Sequence, residues 1–125
     1  MTADPERAGA LARAFGLLGK RWNGVILGSL VDGPLGYTAL RRAVGASDSV
    51  LAGRLAELTA AGVVDRIVEP GPPVTVRYAL TESGQALAPG LRELSRWAQR
   101  HLPDPGRTPG TGPGGKVSDG SRPSP

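Results

Sequence analysis

A chain of 125 residues, 39% of them hydrophobic, has room for one folded domain with a modest core and a tail, and none for a second, catalytic domain. Fifteen basic against eleven acidic residues leave a formal charge of +4, which favours an anionic partner without identifying one. The absence of cysteine excludes disulfides, thiolate metal sites and thiol redox switches.

The N-terminal stretch MTADPERAGALARAF is interrupted by Asp4, Glu6, Arg7 and Arg13, so it lacks the continuous apolar run of a signal peptide. Nothing later approaches the roughly eighteen apolar residues of a membrane span. The expected setting is soluble and cytoplasmic, at the nucleoid, with no membrane partner.

Asp4-Pro5 is a helix opening, a cap followed by proline at the first helical position. Leu11, Ala14, Phe15 and Leu18 continue an apolar face, so a first helix is expected to about Leu18. After Gly19-Lys20-Arg21 a second helix should begin near Trp22, with Val25, Ile26, Ser29 and Leu30 on one side and Asp32-Gly33-Pro34 as its stop. Trp22 is expected to anchor core packing. Lys20 and Arg21 are a charge pair at a helix junction, more often solvated than bound to a phosphate. Leu35-Gly36-Tyr37 is too short for an independent strand but suits a brief rung on a sheet made elsewhere.

The stretch Tyr37–Gly62, YTALRRAVGASDSVLAGRLAELTAAG, reads as two short helices joined by a tight turn. Thr38 is positioned to cap the first, Leu40 and Val44 share one face, and Gly45 suits its end because glycine takes positive φ without strain. Ser47, or Asp48 beside it, caps the second, where Leu51, Leu55 and Leu58 form an apolar stripe and Gly62 supplies the stop. Such a pair buries one stripe of its second helix and turns the other face out, as insertion into a DNA major groove requires. The same grammar also describes ordinary helical hairpins.

Val63–Glu69 and Val74–Leu80 are β-branched runs separated by Pro70-Gly71-Pro72-Pro73, the pattern of a two-stranded hairpin with a stiff loop. A helix-turn-helix followed by a hairpin is the winged-helix arrangement. Thr81-Glu82-Ser83 opens the last helix, marked by Leu87, Leu91, Leu94, Trp97 or Ala98, and Leu102; Pro89 is expected to kink or locally break it. That stripe is more than one small core uses, so either a partner surface or packing on the first helix should cover it. From Pro103 onward roughly two-thirds of the residues are Pro, Gly or Ser, and a disordered tail is expected.

The fold class is therefore mainly α with a small β-hairpin wing (α+β), a winged helix-turn-helix over residues 1–102 with a tail at 103–125. LLGKRW, then VDGPLGYTALRRAV, then SDSVLAGRLAEL with AAGVVDR, and finally EPGPPVTVRYALTESG resemble, in order and spacing, the HxlR-type winged helix-turn-helix transcriptional regulators. The likeness covers about residues 8–100. It implies a homodimer joined through the N- and C-terminal helices, here Leu11, Phe15, Leu91, Leu94, Trp97 and Ala98. Each subunit would place a recognition helix (about 48–61) in the major groove of a palindromic operator in double-stranded DNA, and a wing (about 63–80) on the adjacent backbone or minor groove.

Repression is the expected sign of regulation. Many members carry a cysteine near the position of Gly9, in some of them an oxidant or electrophile sensor, and that mechanism is closed to this chain.

With the leucines inward, a helical wheel turns Ser49, Ala52, Gly53, Ala56 and Glu57 outward. Members of the family often carry longer polar or basic side chains there. Direct readout is thus expected to be thin: one hydrogen bond from Ser49, thymine-methyl contacts from Ala52 and Ala56, and close backbone approach at Gly53. Ser47 and Asp48, at the start of the same helix, count with the groove-facing candidates.

Arg54, at the flank of the stripe, reaches either a phosphate or a carboxylate such as Glu57 or Asp48. Arg41 and Arg42 point about 100° apart, so one of the two faces DNA readily. Tyr37 and Thr38 sit at a helix N-terminus, which favours a phosphate. On the wing, Thr75 and Arg77 alternate away from Val74, Val76 and Tyr78, making Arg77 the expected minor-groove or phosphate contact, with Arg66 on the same hairpin and a cross-strand pair with Glu69 as the alternative.

No nucleophile–base pair, phosphate cradle or metal cluster is visible, so no enzyme activity and no cofactor are expected. His101 suits a solvated role at a helix end. A small-molecule effector, with Trp97 lining its pocket, and a module acting mainly through protein contacts are the remaining alternatives.

Overall fold

The computed structural model of the protein describes residues 4–106. Asp4 accepts a hydrogen bond from the Glu6 amide at 3.0 Å, and with Pro5 in the first turn it starts α1 at Pro5–Leu18, as the sequence predicts. Helix α2 spans Asn23–Ser29, shorter than expected, and its inward residues are Ile26, Leu27 and Leu30. Val25, expected among them, is exposed instead. Buried Asn23, Ile26, Leu27 and Leu30 recur at helical spacing and set the inward stripe, which leaves Val25 on its flank.

Strand β1 is Leu35–Gly36, followed at once by α3 at Tyr37–Val44. The cap position of α3 is Gly36, not Thr38 as expected, because the rung of sheet delivers the chain into the helix two residues early. Gly45 ends α3 at φ 84°, a conformation that costs a side chain dearly and glycine nothing. Helix α4 runs Asp48–Ala60, capped by Ser47, whose hydroxyl accepts from the Val50 amide at 3.3 Å.

Strands β2 (Val64–Glu69) and β3 (Thr75–Leu80) form the hairpin, and β1 adds to its far side, giving an antiparallel sheet in the order β1-β3-β2. Pairing stops at Glu69 opposite Thr75, where the prolines begin. Helix α5 runs Glu82–His101, with the Thr81 hydroxyl accepting from the Gly84 amide at 3.1 Å. Of the kink or local break expected at Pro89, the break does not occur, since the helix is continuous through it. Pro89 lies on the exposed side of the helix.

The core joins α2, α3, α4 and the sheet through Ile26, Leu27, Leu30, Leu40, Leu51, Leu58 and Val64. Burying each such leucine or isoleucine contributes roughly 1.5–3 kcal/mol. By its internal contacts the chain divides into two units, one ending at Leu91 and one beginning at Arg92. The first holds the winged helix-turn-helix. The second holds the end of α5, and the tail expected from Pro103 falls, from residue 107 onward, outside the described residues. No helix of the described residues is long and apolar enough to cross a membrane.

Candidate nucleic-acid interface

Helix α4 is seated by Leu51, Leu55 and Leu58, which leaves Ser49, Ala52, Gly53 and Ala56 exposed on its outer side. Glu57, expected with them, turns to the flank instead. Its Oε2 takes Lys20 Nζ at 3.1 Å and Arg54 Nη1 at 3.3 Å, while Arg54 Nε donates to the Arg21 carbonyl at 3.3 Å. Arg54 is thus spent on joining α4 to the junction before α2 and not on solvent. Lys20 and Arg21 are likewise engaged, the latter with its guanidinium 4.7 Å above the Trp22 ring. Beneath them the buried Asn23 donates to the Leu17 carbonyl at 2.8 Å.

Near the entrance of α3 the candidates meet one another. Arg41 Nε lies 2.9 Å from Asp48 Oδ1, and the Tyr37 hydroxyl donates to the same oxygen at 3.2 Å. Partial burial first, then the hydrogen bond to Asp48 and its charge, raise the pKa of Tyr37 above the ordinary tyrosine value. Asp48 therefore acts as an organiser of the turn, and Arg41 is ion-paired with it. Ser47 is spent on its cap. Arg42 and the exposed Thr38 border a polar hollow of about 330 Å³ beside Gly45, and Arg42 makes no ion pair among the described residues.

Thr38 also lines a cleft of about 520 Å³ with Gly36, Tyr37, Thr75 and Arg77, where the uncapped first turn of α3 faces the wing. Thr75 is bonded across the strands to Glu69, hydroxyl to carboxylate at 3.3 Å. Arg77 stands opposite Ile67 and Gly36, on the face away from Val76 and Tyr78 as alternation predicts, and is unpaired among the described residues.

Gly53 isolates one physical question. A Cβ built there meets nothing within 4 Å, so the fold itself does not require glycine. Gly53→Ala should therefore stabilise the protein by roughly 0.5–1 kcal/mol, read as a higher melting temperature. If close backbone approach to DNA is why glycine is there, the same variant binds DNA more weakly; an unchanged affinity would remove that role.

Of the expected dimer residues, Leu11 and Phe15 are 53% and 54% exposed, and α1 has no buried residue at all. Leu91 differs from its companions, since it packs in part against the core of its own chain. Leu94 and Trp97 are exposed and Ala98 is half-buried; the Trp97 ring centroid lies 6.0 Å from that of His101, at the end of α5. The Arg54–Glu57 pair is the carboxylate alternative that the sequence offered, whereas the Lys20–Glu57 bond was missed, because it joins segments 37 residues apart. Arg41–Asp48 had a signal, opposite charges on either side of one tight turn.

The chain matches the HxlR-like helix-turn-helix family over residues 17–105. It is 44% identical over 96 residues to the HTH-type transcriptional regulator YodB of Bacillus subtilis, a match covering 76% of this chain and 85% of that protein. Among solved structures it resembles the reduced form of YodB, with a TM-score of 0.65, 39% identity, and 82% of this chain and 96% of that one covered. It also resembles the redox regulator HypR in its oxidised form, with a TM-score of 0.70, 27% identity, and 76% and 99% covered. These relatives are transcriptional regulators and not enzymes.

Proposed function

Because this chain belongs to the HxlR-like helix-turn-helix family and is a DNA-binding transcriptional regulator, we propose that it acts as a homodimeric repressor on a palindromic operator. Each copy lays α4 in the major groove and its hairpin over the neighbouring backbone or minor groove. The observation that carries this reading is the seat of α4, locked inward by three leucines and by Arg54 while its outer face stays uncovered.

The unburied α1 and the exposed Leu94 and Trp97 support a second copy as the partner that covers them. Sequence preference arises from half-site spacing and DNA shape more than from side-chain hydrogen bonds, because the outer face is small. A chain without cysteine carries no thiol switch, so its regulation does not run through thiol oxidation.

The test is a mobility-shift titration on the DNA upstream of the protein's own gene at several salt concentrations. Contact with several phosphates gives a steep loss of affinity with salt. Weak binding without salt dependence would favour a module acting through protein contacts. Within this reading, Arg77→Gln should weaken binding to all sequences alike, about threefold, whereas Ser49→Ala should change the ranking among sequences. A Ser49→Ala ranking identical to that of the wild type would argue against α4 in the groove.

A further inference from the structure

The wing sorts its charges by face. In the β2–β3 register, Arg66 stands opposite Tyr78 and shares a face with the buried Val64 and Leu80, the face turned toward α4. Asp65 and Glu69, the acidic residues of the hairpin, stand opposite Ala79 and Thr75 on the other face, together with Arg77. The face toward α4 therefore carries a cation and no acid.

Between that face and the flank of α4 runs a cleft of about 450 Å³, lined by Ala52, Leu55, Ala56, Thr59 and Ala60 on the helix and by Arg66 and Tyr78 on the strands. Arg66 makes no ion pair among the described residues. The Tyr78 hydroxyl makes no side-chain hydrogen bond among them either. An arginine and a phenol without a protein partner among the described residues thus border a trough whose helical wall is Ala52, Ala56, Thr59 and Ala60 around the buried Leu55.

We propose that this cleft is the channel for the sugar-phosphate strand of the operator, with Arg66 and Tyr78 binding a phosphate inside it. The placement rests on the DNA-binding reading above and extends it. If α4 occupies a major groove and the hairpin the next minor groove, the one strand that separates those grooves must pass between helix and hairpin. The short side chains of α4 let the sugars approach, the guanidinium supplies charge and paired donors to the phosphate oxygens, and the phenol adds a neutral donor. Arg66 and not Arg77 is then the principal phosphate contact of the wing, since Arg77 shares its face with two carboxylates.

The experiment compares the full-length wild type with Arg66→Gln, Arg66→Lys and Tyr78→Phe. Each is titrated by mobility shift on an operator duplex and on a scrambled duplex of equal length over a range of salt, with melting temperatures as the folding control. Arg66→Gln should lose about tenfold in affinity on both duplexes, and its salt slope should flatten by about 0.9 per subunit, the value of one phosphate contact. Arg66→Lys should keep the slope, because a point charge still neutralises the phosphate, and Tyr78→Phe should lose about threefold. Arg66→Gln with wild-type affinity and slope, or with a loss confined to the operator at unchanged slope, would overturn the channel while leaving DNA binding intact. A wild type without salt-dependent binding to any duplex would bring down the functional reading, and this inference with it.

Discussion

Replacing Leu58 by alanine should cost about 2–5 kcal/mol and lower the melting temperature by more than about 10 °C. Leu58 is 0% exposed and sits where α4 meets the other core elements, so the lost methylenes leave a cavity that helices pinned at their ends by caps and by the Arg54–Glu57 cluster cannot collapse around. Thermal denaturation followed by circular dichroism reads the effect. An exposed neighbour on the same helix provides the contrast, since Ala52→Ser touches no core contact and should stay within about 0.5 kcal/mol. A drop of only a few degrees for Leu58→Ala would mean that α4 is not seated as described.

The second large effect concerns assembly. Phe15→Glu on α1 and, separately, Trp97→Glu on α5 each put a charge where an apolar ring now lies half exposed, at 54% and 50%. In a lone chain such changes are nearly harmless. In a dimer that covers these rings they desolvate a charge without a partner, so each variant should sediment at half the mass of the wild type. Operator affinity should then fall by a factor of about 100 or more, because binding of the second half-site is no longer intramolecular. An unchanged mass for both variants would locate the subunit contact elsewhere.

The sequence was most legible where one local rule decided the outcome. Asp4-Pro5, Ser47, Gly45 and the leucine stripe of α4 place the helix-turn-helix because caps, positive φ and 3.6-residue spacing act within a few residues. The hairpin was legible for the same reason. Thr38 was misplaced as a cap because the short β1 rung, a tertiary feature, sets the start of α3. Val25 was misplaced because the buried stripe of α2 runs through Asn23, and a buried asparagine does not register in an apolar pattern.

The candidate contacts were legible as a set of residue types and less so as free groups. Tyr37, Arg41 and Asp48 bind one another, and Arg54 is held by Glu57 and a backbone carbonyl. Arg42, Arg66 and Arg77 are left with unanswered charge among the described residues. Which cations stay available depends on which carboxylates the fold brings within about 4 Å, a matter of tertiary geometry that pattern alone does not carry.

The central claim is that two copies hold their α4 helices about 34 Å apart on one face of a duplex, a separation of one helical turn. It is tested most directly by measuring affinity for an operator whose half-sites are moved apart by about five base pairs, half a turn, against the unmodified site. The inserted operator should bind no better than a single half-site, because the second α4 then faces the wrong side of the duplex. Equal affinity for the two operators would contradict it.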